Sequence, residues 1–515
     1  MASNLTSTNL ASRTLTYFAI GGSGVRALEP LLHLCALGLG PRQLRVVIID
    51  PDQSNAAVSR SRGLLDLYRK TRDALTSGHA PTEGYFRTEV TDAIGDVLLW
   101  SPIADEGNLQ SAAFGARVDR PLMRGAAAPL GQIFDLLFSH RQGEMDLTLG
   151  FRGVPSIGTV FMNRLRDEKF FEQLLVDAQT DADSTFFAAG SVFGGTGAAG
   201  LPVVGRLLVN GIRGIPGRND VRGVAKRRLG AALMLPYFTL PAPATREAPD
   251  GGVRPEAALF AQNATAAIPS YTDDQAGYGS YYVVGDSEPR EQDGNEVGGP
   301  AQANRSHYVE FFVALAALDF AARGGESPQE QAIPVFRATG VASSNVRWAD
   351  LPMDDFSRQR LLGGLVAVHT FLSHFRPDGK SHPGLERALR GSTWLSILGL
   401  SSAEFQGRSN ALDFLGQYFR HIWDWASELR ESSPAMELVR ADGRKPHEVQ
   451  SNECIDGRRA AVGLRPTSHA GAEVFRHWNV AAVHARGEGQ SGFLETMRLG
   501  SEGFAAERFP ETVNE

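Results

Sequence analysis

The sequence contains few cysteines and no recognisable metal-binding motif. Only two of its 515 residues are cysteine, Cys35 and Cys454, and no CxxC pair occurs. A disulfide framework needs several paired cysteines, so the class of small disulfide-rich domains is excluded. The 12 histidines form neither an HExxH motif nor a Cys/His pattern, which argues against a structural zinc site.

Long apolar runs are also missing. No stretch reaches the roughly 20 consecutive apolar residues that a membrane-spanning helix needs. The opening segment MASNLTSTNLASRTLTYF is polar and lacks the apolar core of a signal peptide. We therefore expect a cytoplasmic protein with no membrane span.

Positive charge is not in excess. The chain has 51 Lys and Arg against 58 Asp and Glu, a formal net charge of −7. Nucleic-acid-binding proteins usually present a basic face, so we expect no nucleic-acid partner. We interpret the one basic run, Arg222–Gly230, as a solvated loop ahead of a buried strand.

Two common catalytic motifs are absent from the sequence. There is no GxxxxGK[ST], the loop of P-loop nucleotidases, and no GxSxG, the nucleophile turn of α/β-hydrolases. The sequence therefore gives no support to either enzyme class.

Glycine, in contrast, is concentrated in two turns that each join an apolar strand to a helix. The first comprises Gly21, Gly22, Ser23 and Gly24 and follows a predicted strand over Thr14–Ile20. The second follows a predicted strand over Thr185–Ala189 and comprises Gly194, Gly195, Thr196, Gly197 and Ala198. Because glycine has no side chain, glycines before a helix let backbone N–H groups approach an anion at the positive N-terminal end of the helix. The pattern predicts a phosphate site held from two sides; two unrelated packing turns are the alternative.

The first turn opens a predicted βαβ unit. Its second strand, Leu44–Asp50, is nearly all apolar, as is typical of a parallel sheet covered on both faces. The run from Gly22 through Gly24 to Ala27 also fits the dinucleotide fingerprint GxGxxA, with Asp50 ending the next strand. An NAD(P)-dependent oxidoreductase with Asp50 on a ribose is therefore a competing hypothesis, although no general acid or base for it is evident.

A chain of this length exceeds one ordinary core. We predict a Rossmann-like α/β nucleotide-binding domain with a parallel sheet and a long central helix over Ser306–Arg323, which is apolar nearly all round. The predicted boundaries are 14–325 for that domain, 326–384 for a loop and helix after it, and 385–515 for a mostly α-helical C-terminal region. Within the first unit, Gln53–Asp146 is predicted to be mainly helical.

The order of these segments resembles that of the tubulin/FtsZ superfamily, and most closely its divergent bacterial tubulin-like members. FGGTGAAG is similar to the family's phosphate-binding glycine run, and AIGGSGVRALE to its first nucleotide loop. The segments VVIIDPDQSN, FGARVDRPL and ALMLPYF stand where the family has its second loop, its third loop and the strand after the glycine-run helix. The sequence departs from the family at Val192–Phe193, which replace a further glycine, and in having helices instead of a β-rich C-terminal domain.

The resemblance implies a site for GTP and Mg²⁺. Both glycine turns would hold phosphates, and Asp50 or Asp52 would hold the metal ion, whereas a helix-capping role is the alternative for Asp52. Arg117 and Arg120, in the third loop, would reach a γ-phosphate; as surface arginines they would need no such role. Asn304 would read the base, although Asn304 or Ser306 could instead cap the central helix.

The resemblance also implies what the protein does. In the family, acidic residues after the central helix orient water at the nucleotide of a neighbouring subunit, and Asp350, Asp354 and Asp355 are the candidates here. Plain charge complementation of a helix N-terminus is the alternative for these acids. The implied activity is slow GTP hydrolysis on head-to-tail self-assembly, with a role as switch or scaffold in a bacterial defence module beside a separate effector protein. A nucleotide-sensing scaffold that binds but does not hydrolyse remains open.

Overall fold

The computed structural model describes most of the chain. The described residues are 10–76, 84–92, 99–103, 112–125, 128–241, 257–272, 276–292, 299–300, 302, 304–324, 335–338, 351–374, 393–399, 410–432, 470–485 and 489–508. None of the helices within these ranges is long and apolar enough to cross a membrane.

The strands form one large parallel sheet and one small pair. They are β1 (Thr14–Ile20), β2 (Gln43–Ile49), β3 (Glu89–Asp92), β4 (Leu99–Trp100), β5 (Ser184–Ser191), β6 (Leu229–Met234), β7 (Phe238–Thr239), β8 (Ser280–Val284), β9 (Arg290–Glu291) and β10 (Val335–Ala338). The large sheet runs β10-β8-β6-β5-β1-β2-β3, with β4 also beside β2, while β7 pairs with β9. Every pairing between these strands is parallel. The predicted α/β class with a parallel sheet is confirmed.

The sheet follows the doubly wound order. β2 and β3 lie on one side of β1, and β5, β6 and β8 lie on the other, so the chain reverses direction across the sheet at β1. Every residue of β1, β5 and β6 is buried, because helices cover both faces of the sheet. In such sheets ligands bind beyond the carboxyl ends of the strands, beside this reversal point.

Helices surround the sheet. In the N-terminal half they are α1 (Gly21–Arg26), α2 (Leu28–Ala36), α3 (Ala56–Thr76), α4 (Phe114–Arg117), α5 (Arg120–Gly125), α6 (Ala128–Leu137), α7 (His140–Gly143), α8 (Pro155–Met162), α9 (Lys169–Thr180) and α10 (Thr196–Asn210). After it come α11 (Phe260–Ala267), α12 (Pro269–Thr272), α13 (Tyr308–Arg323), α14 (Asp355–His374), α15 (Trp394–Ile397), α16 (Asn410–Ser432), α17 (Ala470–Ala482) and α18 (Gly489–Arg508). Short 3₁₀ turns lie at Leu147–Leu149, Asn163–Asp167, Lys226–Arg228 and Ala257–Leu259.

The prediction of mainly helical structure over Gln53–Asp146 was incomplete. β3 and β4 lie inside this segment and extend the sheet beside β2. They contain only four and two residues, too few to show the alternation by which a strand is recognised in a sequence.

Helix α13 is the predicted central helix, and all but its last residue are buried. Its N-cap is His307, whose Nδ1 accepts a hydrogen bond from the Val309 N–H at 3.2 Å. Burial, together with Arg26 and Arg290, lowers the pKa of His307 to about 3, so the neutral ring is available as an acceptor. The alternative that Asn304 or Ser306 caps this helix was therefore wrong.

The described elements after residue 351 are all helices, in agreement with the predicted helical C-terminal region. Helix α16 packs on α3 and α14, and α18 packs on α14 and α17. The first contact is mainly aromatic, since Tyr418 of α16 meets the rings of Tyr68 and Phe86 edge to face. The helical region thereby covers the outer side of α2 and α3, next to the reversal point of the sheet.

Candidate functional site

A cavity of about 360 Å³ opens beyond the carboxyl ends of β1, β2 and β5. Gly21 follows the last residue of β1, Asp50 follows the last residue of β2, and Ser191 ends β5. All three line the cavity. Its size lies in the range of small-molecule sites, which are about 300–1,000 Å³.

Both predicted glycine turns line this cavity. From the first turn these are Gly21, Gly22 and Ser23, and from the second Gly194, Gly195, Thr196 and Gly197. The two turns also touch each other: Gly21 has a left-handed φ of 70°, and a Cβ there would lie 3.1 Å from Thr196 Cβ and 3.2 Å from the Gly197 nitrogen. Glycine at position 21 is thus required by both conformation and space.

The first turn of α10 lies in the cavity wall, since Thr196 and Gly197 line the cavity. Its N-cap is Gly195, which has no side chain with which to cap the helix, and its first turn contains no acidic residue. The unpaired N–H groups of a helix start carry partial positive charge, so this 15-residue helix offers an anion site.

A loop that our sequence reasoning missed closes the cavity against Gly195. Leu149–Gly153 lines the cavity, and a Cβ on Gly195 would lie 2.8 Å from the Phe151 carbonyl and 2.9 Å from the Gly153 nitrogen. Within it, Arg152 is 6% exposed and has a φ of 42°. A non-glycine residue in the left-handed region costs about 1–2 kcal/mol, and such strain concentrates at functional sites.

Asp50 and Asp52 both line the cavity, as predicted, but their carboxylates differ. Asp50 Oδ1 accepts the Asp52 N–H at 2.9 Å. Burial raises the pKa of Asp50 to about 7, although this hydrogen bond counteracts part of the rise. Asp52 uses both oxygens: Oδ1 accepts from the Ser54 N–H and hydroxyl, and Oδ2 accepts from the Gly299 N–H at 2.7 Å. Asp50 is therefore the better candidate for a cation.

The helix after these acids is capped by another residue. Asn55 Oδ1 accepts the Ala57 N–H at 2.8 Å, and Asn55 Nδ2 donates to Gln302 Oε1 at 2.7 Å. The alternative of Asp52 as the cap of α3 was therefore wrong. Within the described residues no group of three or more His, Cys, Asp or Glu is placed to hold a metal ion.

A buried ion pair forms the floor beside α13. Arg26 pairs with Glu310, and its guanidinium lies 5.7 Å from the ring centres of Tyr237 and Phe238. Glu310 Oε1 also accepts the Tyr237 hydroxyl proton at 3.1 Å, and Oε2 the His307 N–H. Burial raises the pKa of Glu310, and Arg26 counteracts that rise.

The wall next to this ion pair is aromatic. Phe193 lies 4.8 Å from Phe260 and 5.6 Å from Phe238, measured between ring centres, and all three line the cavity. Val192–Phe193 are the residues at which the second glycine turn departs from the tubulin/FtsZ pattern. Phe193 is 2% exposed, so it packs within this aromatic wall, in which the Phe238 ring is the half-buried one.

Several predicted residues lie elsewhere. Gly24 is buried and packs against the Ala189 carbonyl, Ala198 lies in the first turn of α10, and neither lines the cavity. Arg117 donates to the Ile103 carbonyl, while Arg120 donates from both Nε and Nη2 to Asp135 Oδ1; neither arginine lines the cavity. Asn304 does line it.

Of the three predicted catalytic acids, Asp354 and Asp355 do not line this cavity. Asp350 is outside the described residues. Asp354 Oδ1 accepts the Ser357 N–H at 2.7 Å and so caps α14, while the Asp355 side chain is 68% exposed. Neighbouring Met353 and Ser357 share a small recess with Gly38, which follows α2 just before β2 begins. Asp354 and Asp355 therefore lie at the amino edge of the sheet, opposite the cavity.

Other polar residues of the cavity carried no signal in the sequence. They are Arg26, Glu29, Asn55, Arg60, Arg152, Gln302, Ser306 and Glu310. For Arg152 alone, the nearby glycines Gly150 and Gly153 could have indicated a turn at a binding site. The other residues lie in segments whose sequence indicates only packing. Comparison of the chain with protein-family models, with curated proteins and with solved structures finds no match.

Proposed function

We propose that the cavity binds a nucleoside triphosphate, with GTP as the first choice, through its two glycine turns. The observation that carries this proposal is the meeting of both turns in one cavity, at the uncapped start of α10. The half-buried Phe238 ring of the aromatic wall supplies an apolar surface on which a base can stack.

The residues present fit a magnesium ion beside those phosphates. Carboxylate oxygens are ligands that Mg²⁺ prefers, and it commonly uses only one or two of them beside substrate phosphates. Asp50 would hold the ion, directly or through water, because Asp52 is occupied by Ser54 and Gly299. The ion would neutralise phosphate charge when bound.

The tubulin/FtsZ-like assignment is part of the same proposal. It is supported by the first and second glycine turns at β1 and β5, on adjacent central strands, and by the buried helix α13 after β8. Acids at one edge of the sheet and the cavity at the other suit head-to-tail assembly, in which one subunit completes the site of the next. The role in a defence module with a separate effector rests on the resemblance alone.

The direct test is equilibrium binding of GTP, ATP and NAD to the purified chain, with and without Mg²⁺. We expect GTP to bind in a Mg²⁺-dependent manner and to be displaced by GDP. Binding of NAD in preference to both triphosphates would contradict the proposal and favour the oxidoreductase hypothesis.

Hydrolysis is tested separately, by substitution of the predicted catalytic acids. Asp355→Asn is expected to lower assembly-dependent GTP turnover by about tenfold or more, because removal of a water-orienting carboxylate commonly costs at least that factor. GTP affinity should not change, since Asp355 is remote from the cavity. Asp350→Asn is tested in parallel. Unchanged turnover in both variants would exclude these acids as the water-orienting groups. No turnover in the unmodified chain would leave the non-hydrolysing scaffold as the function.

Arg152 should contact the phosphates, because its loop packs on Gly195. Arg152→Ala is expected to weaken GTP binding by about tenfold, since a charge-assisted contact contributes about 1.5–3 kcal/mol. Arg152→Gly is the matched control for backbone strain: it should lose the same affinity while melting at a higher temperature than Arg152→Ala, because glycine accepts the φ of 42°. Equal GTP affinity in both variants and the unmodified chain would exclude this contact.

A further inference from the structure

We propose that Glu428, in the helical C-terminal region, is a positioning residue of the nucleotide cavity and couples ligand binding to the seating of α16. The coupling to nucleotide rests on the proposed function; the positioning of the cavity wall does not. The proposal depends on three contacts between α16 and the wall.

The first contact is made by Glu428 itself. Its Oε2 atom accepts hydrogen bonds from both the N–H and the hydroxyl of Ser306, each at 2.9 Å. Ser306 lines the cavity and is 6% exposed. A single carboxylate from a helix 122 residues further along the chain therefore fixes the position of this wall residue.

The second contact is electrostatic. Glu428 Oε2 lies 3.7 Å from Arg60 Nη2, and the same nitrogen lies 2.8 Å from Glu29 Oε1. Arg60 and Glu29 both line the cavity. One guanidinium is thus shared between an acid of the α/β unit and an acid of the helical region, so a bound anion that attracts Arg60 also acts on Glu428.

The third contact is one turn further along α16. The Ser432 hydroxyl oxygen accepts the Tyr308 N–H at 3.1 Å. Ser306 and Tyr308 flank the N-cap of α13, which carries Glu310 in its first turn. Helix α16 therefore holds the start of the central helix at two points, of which Ser306 lines the cavity.

A coupling of this kind is reciprocal. If a bound nucleotide holds Ser306 and Arg60 in one arrangement, that arrangement also favours the packing of α16 against the cavity wall. Loss of the α16 contact must then weaken nucleotide binding by the same coupling free energy. A typical coupling changes affinity 5–150-fold. The helical region would then report the nucleotide state of the α/β unit to whatever contacts it.

The experiment compares Glu428→Gln with the unmodified chain by hydrogen exchange and by GTP binding. Glu428→Gln keeps the size of the side chain and one carbonyl acceptor for Ser306, but removes the charge beside Arg60. Asp413→Asn is the control, because it makes the same charge change in the first turn of the same helix, about four turns before Glu428 along the helix.

Without ligand, Glu428→Gln should speed amide exchange at residues 304–310 and leave β1 and β5 unchanged. With Mg²⁺ and GTP, exchange in α16 should slow in the unmodified chain and in Asp413→Asn. The Glu428→Gln variant should bind GTP about tenfold more weakly, with little slowing of α16. Ser306→Ala, which keeps the N–H but loses the hydroxyl, should show a smaller effect in the same direction.

The outcomes separate the two proposals. Exchange at residues 304–310 that is the same in Glu428→Gln as in the unmodified chain would overturn the positioning role whatever the ligand. Equal GTP affinity in the two proteins, with α16 insensitive to GTP, would overturn the coupling. Failure of the unmodified chain to bind any nucleotide would overturn the proposed function and the coupling with it, while the ligand-free exchange would still decide the positioning role.

Discussion

Gly22→Asp is expected to weaken GTP binding at least about 100-fold while the chain remains folded. Gly22 lines the cavity, and no heavy atom lies within 4 Å of the position of a Cβ built on it. A side chain there consequently projects into space that the ligand would use. Two like charges 4 Å apart repel by about 4 kcal/mol at an effective dielectric of about 20, and 1.4 kcal/mol already corresponds to tenfold in affinity.

Gly22→Ala is the matched control for this variant. It adds the Cβ without the charge, and alanine is favoured over glycine within a helix by up to about 1 kcal/mol, so stability should not fall. Gly195→Asp would be a poorer choice, because a Cβ at that position meets the backbone of Phe151 and Gly153 and would displace their loop. GTP affinity that is equal in Gly22→Asp and Gly22→Ala would show that no phosphate lies against the first turn.

Asp50→Asn is expected to stabilise the ligand-free protein at pH 8 and to abolish the Mg²⁺ dependence of nucleotide binding. The pKa of Asp50 is raised to about 7, so the folded state binds its proton more tightly than the unfolded state. Stability contributed by this group is complete below about pH 4 and is lost as the pH rises towards 7. At pH 8 the buried, ionised carboxylate destabilises the fold by an amount on the order of 2–4 kcal/mol.

Asparagine removes that cost, because its amide oxygen can still accept the Asp52 N–H. Urea unfolding in EDTA should therefore show a gain in the free energy of unfolding at pH 8 and little change at pH 4. Asp52→Asn should behave differently and destabilise the protein, since its carboxylate accepts from both Ser54 and Gly299. A loss of stability in Asp50→Asn at pH 8 would contradict the assigned environment of this carboxyl group.

The parts of this site that lie next to central strands could be predicted from the sequence. β1 and β5 are apolar runs buried on both faces, and each glycine turn directly follows one of them. Strand, turn and helix are each local patterns of fewer than about 15 residues, so their order could be recognised without knowledge of the fold. Because parallel strands end at one edge, Asp50 after β2 also belonged to the prediction.

The remaining parts depend on contacts between distant segments. The loop with Arg152 follows short helices instead of a strand, and only the folded chain brings it onto Gly195. Glu428 meets Ser306 across 122 residues, and nothing in either segment marks the other. The capping of α13 by His307 also depends on the fold, because histidine accepts a hydrogen bond at a helix start only when its ring is neutral, a state that here results from burial.

The position of β1 in the sheet has a consequence during synthesis of the chain. β1 pairs with β2 soon after both are made, but its other neighbour is β5, and the hydroxyl of Thr185 reaches the Thr14 carbonyl across 171 residues. At translation rates of about 5–20 residues per second, β1 waits roughly 10–35 s for that neighbour. During this interval the nascent chain exposes an unpaired apolar strand edge, a feature that promotes aggregation. No ligand of the cavity can stabilise it then, because the second glycine turn has not yet been made.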